Sequence, residues 1–356
     1  MSNRDVIGIG ASAGGIQALL TLVSALPADL PAAILVTIHL HPQFRSSLDE
    51  IVSRAGALPA FFARNGQTYK QGEIYIAPPD QHLLVDGDRL HLGTGPRENN
   101  SRPAIDPMLR SIAACCGARA IGVVLTGTLG DGASGLWAVQ RCGGMTLVQD
   151  PEDAAFPEMP LNALRRVTPD SVLPIADIAA TLTALSREPA GEAVAVPGTI
   201  PFEVDIARGE MTDPQAKMED MDHIGRRSVL ACPECHGVMW EIDEGELTRY
   251  RCHTGHAYTA ELLSVALEES LRRALAGAAR ALEERLTLTR SLHRQATEAQ
   301  HTASAANWSS RVDEVERELE TLRSAMQRVE KLKTELVRQE SSARHQAGTG
   351  RGREPE

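Results

Sequence analysis

Gly8-Ile9-Gly10-Ala11-Ser12-Ala13-Gly14-Gly15 is the stretch on which the fold turns. Val6–Ile9 before it is a short apolar run of strand type, and Gly14–Leu26 after it repeats apolar residues at helical spacing. A glycine-rich bend from strand to helix aims backbone N–H groups and the positive helix end at one point. Two chemistries use such a bend. One cradles the phosphates of a dinucleotide; the other lifts a nucleophilic serine, here Ser12, beside amides that bind an oxyanion. The plainest reading of Ser12 is a helix N-cap.

The second strand, Ala32–Ile38, separates these readings. A dinucleotide site wants an acid at its end to hold the ribose, whereas this strand runs out through Thr37-Ile38-His39-Leu40-His41. His39 suits a general base. Such a base needs an orienting carboxylate, and Leu125-Thr126-Gly127-Thr128-Leu129-Gly130-Asp131-Gly132-Ala133, a second strand-to-helix turn, offers Asp131. Each residue has a structural role open to it when taken alone. Together, three loops at the carboxyl ends of parallel strands open on one rim, where α/β sheets bind ligands. The expected chemistry is a Ser12–His39–Asp131 hydrolase.

The surrounding pattern fits that rim. Further strands are expected at Leu58–Ala63, Glu73–Ala77, Ala120–Leu125 and Met145–Gln149, with a hairpin across Asp86-Gly87-Asp88. Helices are expected after Pro42 and at Pro103–Cys115, Ala133–Cys142, Pro157–Arg166 and Ile175–Leu185. The alternation predicts an α/β domain over 5–188 with a mainly parallel, doubly wound sheet.

Composition narrows the function. Aromatics are 3 % and the net charge is −11, which oppose nucleic acid as a partner. No run of 18 apolar residues exists for membrane insertion, and Met1–Asp5 lack a secretory pattern, so the cytoplasm is the expected compartment. Cys115, Cys116 and Cys142 read as buried free thiols.

Residues 5–188 resemble the catalytic domain of the chemotaxis protein-glutamate methylesterases (CheB-type). The resemblance is carried by the serine turn, by Thr37-Ile38-His39-Leu40 with Phe44 and Ser47, and by Ile74-Tyr75-Ile76-Ala77-Pro78 with His82. Arg102-Pro103-Ala104-Ile105-Asp106 and the Asp131 turn complete it. It implies that Ser12 attacks the methyl ester of a receptor glutamate, that His39 moves the proton and that Asp131 orients His39. It also implies glutamine deamidation by the same acyl chemistry, oxyanion donors in the backbone N–H groups of Ala13 and Thr128, and no catalytic cofactor. The partner implied is a methylated chemoreceptor or related signalling protein. Three departures stand out: Thr128 and Leu129 replace the family's usual Met and Gly, and Ala104 its usual Ser. Family members in chemotaxis usually carry an N-terminal receiver domain; with a first strand at Val6, the expectation is a stand-alone form controlled from another chain or from its own C-terminal half.

Beyond 188 the character changes. Residues 189–228 show no period and read as a linker with little fixed structure. Cys232-Pro233-Glu234-Cys235 and Cys252-His253-Thr254-Gly255-His256 have zinc-site spacing, so 229–258 reads as a zinc-ribbon-like module with ligands Cys232, Cys235, Cys252 and His256, His253 being the alternative fourth. Four ligands would make that zinc structural. Residues 259–341 read as a helical hairpin or coiled coil, interrupted at Ala303–Ser310 and able to form a homo-oligomer, with a disordered tail over 342–356. Deleting 229–356 is expected to leave esterase turnover in place. Two other functions compete: a non-catalytic signalling adaptor built on an esterase fold, and a nucleotide-binding enzyme.

Overall fold

The structure is a computed structural model that describes residues 3–39, 47–210, 214–244 and 247–349. The expected Phe44 segment and residues 350–356 lie outside the described residues. Two units are present, Met1–Val265 and Ala266–Glu356.

The first unit opens with β1 (Val6–Ala11), α1 (Gly15–Ser24), β2 (Ala33–Ile38), α2 (Leu48–Ala55), β3 (Ala60–Phe62) and β4 (Ile74–Ile76). The hairpin β5 (His82–Asp86) and β6 (Arg89–Gly93) follows, then α3 (Ile105–Cys116), β7 (Ala120–Val124), α4 (Ala133–Arg141) and β8 (Met145–Gln149). The α/β part ends with α5 (Glu158–Arg166), β9 (Ser171–Leu173) and α6 (Ile175–Arg187). Seven strands form one sheet in the order β3-β4-β2-β1-β7-β8-β9, and every pairing is parallel. Strand order reverses at β1, which has β2 on one side and β7 on the other. Such a switch point leaves a crevice beyond the strand ends.

Both faces of the sheet are covered. Ile7, Ile9 and Ala11 pack in one buried cluster with Leu19, Leu22 and Leu182; Val6 joins the opposite cluster with Leu109 and Ile112. This period-2 division along β1 leaves Gly8 and Gly10 on the α3 side. A Cβ at Gly10 would stand 2.2 Å from Cγ2 of Ile105. The glycines of the opening motif therefore let the N-terminus of α3 lie against β1, which is a packing reason and not a phosphate-binding one.

The expected linker is a correction. It holds two helices, α7 (Thr199–Arg208) and α8 (Pro214–Ile224). Ile200, Val204 and Ile206 of α7 are buried, and so is Glu203, which meets arginines described below. A ten-residue helix with a charge on its inner face gives too little apolar period to be read from sequence. Next come β10 (Arg226–Ala231), β11 (Val238–Glu244), β12 (Leu247–Cys252) and β13 (Ala257–Thr259), an antiparallel four-stranded sheet. Cys116 and Cys142 are buried as expected, but Cys115 is exposed because the last turn of α3 brings it to the solvent side.

α9 (Ala260–Glu298) runs from the first unit into the second, where α10 (Thr302–Thr349) follows. The break falls at Gln300, in left-handed backbone (φ 56°), and Ala303–Ser310 lies within α10. α10 also continues past the expected end at 341. Arg285–Glu318, Arg323–Glu283 and Arg272–Glu330 pair the two helices antiparallel around Leu286, Val315 and Leu319. No helix among the described residues is long and apolar enough to cross a membrane.

Candidate active site

The register of β1 on β2 ends at Ala11↔Ile38, so the next residues, Ser12 and His39, leave adjacent parallel strands side by side. Ser12 N–H donates to Thr126 O at 3.0 Å, which ties the first turn to the loop after β7. Gly127 permits that approach: a Cβ there would meet Sδ of Met159 at 2.2 Å and Cβ of Ser12 at 2.9 Å. The backbone alone thus brings three sequence-distant loops to one rim.

Ser12 Oγ lies 3.0 Å from His39 Nδ1, and His39 Nε2 lies 2.7 Å from Asp131 Oδ2. An ionised carboxylate only accepts, so Nε2 carries the proton and Nδ1 presents its lone pair to the Ser12 hydroxyl. The histidine side chain is 21 % exposed and the carboxylate 2 %. Ser12 and His39 are therefore reachable while Asp131 is sealed.

Asp131 is held by more than His39. Its Oδ2 also accepts from Ile105 N–H at 2.7 Å; its Oδ1 accepts from the Asn99 amide at 2.9 Å, Gly132 N–H at 3.0 Å and Asp106 N–H at 3.1 Å. Two of these donors are the first amides of α3, where the helix dipole favours an anion. Burial alone would raise the carboxyl; the hydrogen bond and charge of His39, the Ile105 N–H and the Asn99 amide reverse this and hold it down at about 2. Asp106, whose carboxylate accepts from Gly135 N–H at 2.6 Å and from the other Asn99 amide hydrogen at 2.9 Å, goes the opposite way. Burial first, and then the Asp131 charge, push it up to about 7.

The N–H groups of Ala13 and Thr128 donate to no protein acceptor among the described residues. Leu129 has φ 68°, so the position where a glycine was expected does require left-handed backbone, and its carbonyl is anchored by Asn162 Nδ2 at 2.7 Å. His82 is fully buried between Pro96 O and the Ala104 N–H; burial pushes its pKa down, and it is a neutral staple outside the constellation. Sequence reasoning missed Asn99. The signal was Asn99-Asn100, a dipeptide suited to a tight turn with both residues left-handed (φ 51° and 61°).

Cys232, Cys235, Cys252 and His256 also converge, all ligand atoms lying within 4.8 Å of one another. Cys235 Sγ–Cys252 Sγ is 3.6 Å, Cys232 Sγ–His256 Nδ1 is 3.7 Å and Cys252 Sγ–His256 Nδ1 is 3.4 Å. Tetrahedral Zn²⁺ demands about 3.8 Å between sulfurs and about 3.5 Å between sulfur and nitrogen. The donor set fits. The outer shell fits as well, since His256 Nε2 meets Glu234 Oε2 at 3.1 Å, the carboxylate partner a metal-bound histidine needs. His253 stands apart, its ring packed over Gly237.

Comparison with known proteins places the α/β domain in a family. Residues 7–182 match the family model described as CheB methylesterase. A protein-glutamate methylesterase/protein-glutamine glutaminase 2 of Methanosarcina mazei is 37 % identical over 194 residues, covering 52 % of this chain and 53 % of that protein. One of Xanthomonas oryzae pv. oryzae is 37 % identical over 187 residues, covering 51 % and 52 %. The chain thus spans about half the length of the curated relatives it matches. The crystal structure of the Thermotoga maritima CheB methylesterase catalytic domain is 32 % identical, with TM-score 0.50, and is covered over 100 % of its length by 52 % of this chain. Through its seven-stranded parallel domain, this chain belongs to the CheB methylesterase family.

Proposed function

We propose that the chain hydrolyses glutamate methyl esters on a chemoreceptor-type signalling protein. One observation carries the reading: Ser12 Oγ, His39 and Asp131 form a continuous hydrogen-bonded line of 3.0 and 2.7 Å on an accessible rim. Ser12 Oγ attacks the ester carbonyl while His39 Nδ1 accepts its proton. Collapse of the tetrahedral oxyanion, held by the Ala13 and Thr128 amides, expels methoxide, which takes the proton from His39 and leaves as methanol. Water repeats the cycle and frees the glutamate carboxylate. A glutamine substrate follows the same course with ammonia as the leaving group. Asp131 stays ionised throughout and stabilises the imidazolium. Ile16 at the start of α1, Leu129 on the Asp131 loop and Phe156 on the loop after β8 are exposed apolar side chains around the Ser12 turn, which suits a protein surface as substrate.

The Cys232/Cys235/Cys252/His256 cluster is read as a structural zinc site in a zinc-ribbon-like module. Bound zinc would cross-link two turns, and four protein ligands leave it no open position for chemistry. The deciding experiment is methanol release from a methylated receptor. Release by the wild-type chain that vanishes in Ser12→Ala is expected. Equal release by both sinks the hydrolase reading.

A further inference from the structure

The Cys/His sheet meets the catalytic rim through a short hairpin, a buried charge cluster and Thr259 of β13, which lies against Gly130. Asn99 N–H donates to Ala257 O of β13 at 2.8 Å. Glu98 Oε1 accepts from Arg251 Nη2 at 2.9 Å, and its other oxygen pairs with Arg110 of α3. Glu203 of α7 accepts from Arg249 at 2.9 Å and from Arg251 at 2.8 and 3.0 Å. No side chain in this cluster is more than 4 % exposed. Two of the points of attachment are chain neighbours of the cluster: Arg251 directly precedes Cys252, and Ala257 directly follows His256. On the far side of the hairpin, the Asn99 amide spans Asp131 and Asp106 at 2.9 Å each.

Resting on the hydrolase reading above, we propose that Asn99 is a positioning residue for Asp131, and that a metal in the Cys232/Cys235/Cys252/His256 cluster fixes Asn99 through Ala257 and Arg251. The hairpin is a two-residue turn closed by reciprocal Glu98–Ser101 backbone bonds of 3.2 and 2.9 Å, too small to hold one orientation by itself. Its outer edge is fixed by β13. With the metal bound, the turn Cys252–His256 is cross-linked and presents Ala257 O and the Arg251 guanidinium in register. Without it that turn loosens, and the amide no longer meets both carboxylates. Displacements of about 1 Å in an orienting group cost up to about 10²-fold in rate. The module therefore controls turnover without touching substrate, and its removal slows the enzyme, contrary to the expectation from sequence.

The test uses the full chain loaded with Cd²⁺, whose thiolate absorbance reports occupancy, and the same chain after chelation. Reaction of Ser12 with a fluorophosphonate is resolved into kinact, Ki and labelled end-point, and amide hydrogen exchange is followed at residue 99. Metal removal is expected to lower kinact about 10-fold, leave Ki and end-point in place, and speed exchange of the Asn99 N–H, all reversed on reloading. Asn99→Gly tolerates the left-handed backbone and keeps the Ala257 bond but deletes the amide. It should show the same fall with metal present and no further fall without it. A merely structural role would reduce the end-point and not the rate. Metal-free protein that reacts at the loaded rate overturns the proposal, as does wild-type kinact in Asn99→Gly. Should chelation unfold the chain, the loaded Asn99→Gly comparison decides by itself. Should loaded wild type leave Ser12 unlabelled, the hydrolase reading fails, and exchange at residue 99 judges the clamp: metal-dependent protection supports it, metal-independent protection overturns it.

Discussion

Two groups of buried carboxylates sit close together and are kept ionised by different means. Glu98 and Glu203 are surrounded by Arg110, Arg249 and Arg251; burial opposes their charge, but these guanidiniums drive both carboxyls below the usual range. Asp131 is ringed by neutral donors, the amides of Ile105, Asp106, Gly132 and Asn99, and also accepts a hydrogen bond from His39 Nε2. A carboxylate matched by arginines has its field cancelled locally and serves as mortar. One held by His39 and backbone dipoles keeps its negative charge available, and in the proposed mechanism His39 uses it when protonated. The difference suits one group to structure and the other to the proposed chemistry.

The sharpest break in this contrast is Ser12→Ala, which should lower methanol release by about 10⁶-fold, as removal of a triad nucleophile does. Asp131→Asn keeps the shape of the ring but replaces an acceptor by a donor facing His39 Nε2. The imidazole then adopts the other tautomer, and single-turnover rates should fall about 10⁴-fold with folding intact. Arg110→Met attacks the other group: it leaves Glu98 buried with one partner fewer, and chemical denaturation should show a loss of about 3–5 kcal/mol.

Acid should separate the groups further. The folded pKa of Asp131 is depressed, from 3.8 to about 2, so its contribution is complete above pH 4 and is lost as pH falls through 2. The stability gap between wild type and Asp131→Asn should accordingly shrink by about 2 kcal/mol between those limits; a gap that is flat with pH removes the case that His39 and the surrounding amides hold Asp131 ionised. The smallest effect is at the rim. Leu129→Gly relieves a left-handed leucine at φ 68° and should raise stability by about 1 kcal/mol in thermal melts.

Much of the α/β domain was legible because period-2 and period-3.6 patterns change over at Gly and Pro. Ser12, His39 and Asp131 were legible because each directly follows an apolar strand or sits in a glycine-marked turn. The meeting of Cys232, Cys235, Cys252 and His256 was legible from spacing within 25 residues. What escaped has a common cause. Asn99, Glu203 and Arg251 are buried polar residues with partners 32, 46 and 48 residues away. Local pattern marks such residues as surface. α7 was lost for that reason, its inward Glu203 breaking the apolar stripe. The glycines at 8 and 10 were seen but misjudged, because only α3 lying on β1 explains them.

Asp106 and Arg110 stand four residues apart on α3, one turn of the same helix. The first faces the Asn99 amide and the second faces Glu98, so a single rigid rod touches both sides of the hairpin. Anyone transplanting this C-terminal module onto a sister esterase would need to carry Glu98, Arg110 and Glu203 with it as a matched set. Grafted without them, Arg249 and Arg251 would arrive as two guanidiniums with no carboxylate to meet, and the chimera would come apart at the seam it was meant to acquire.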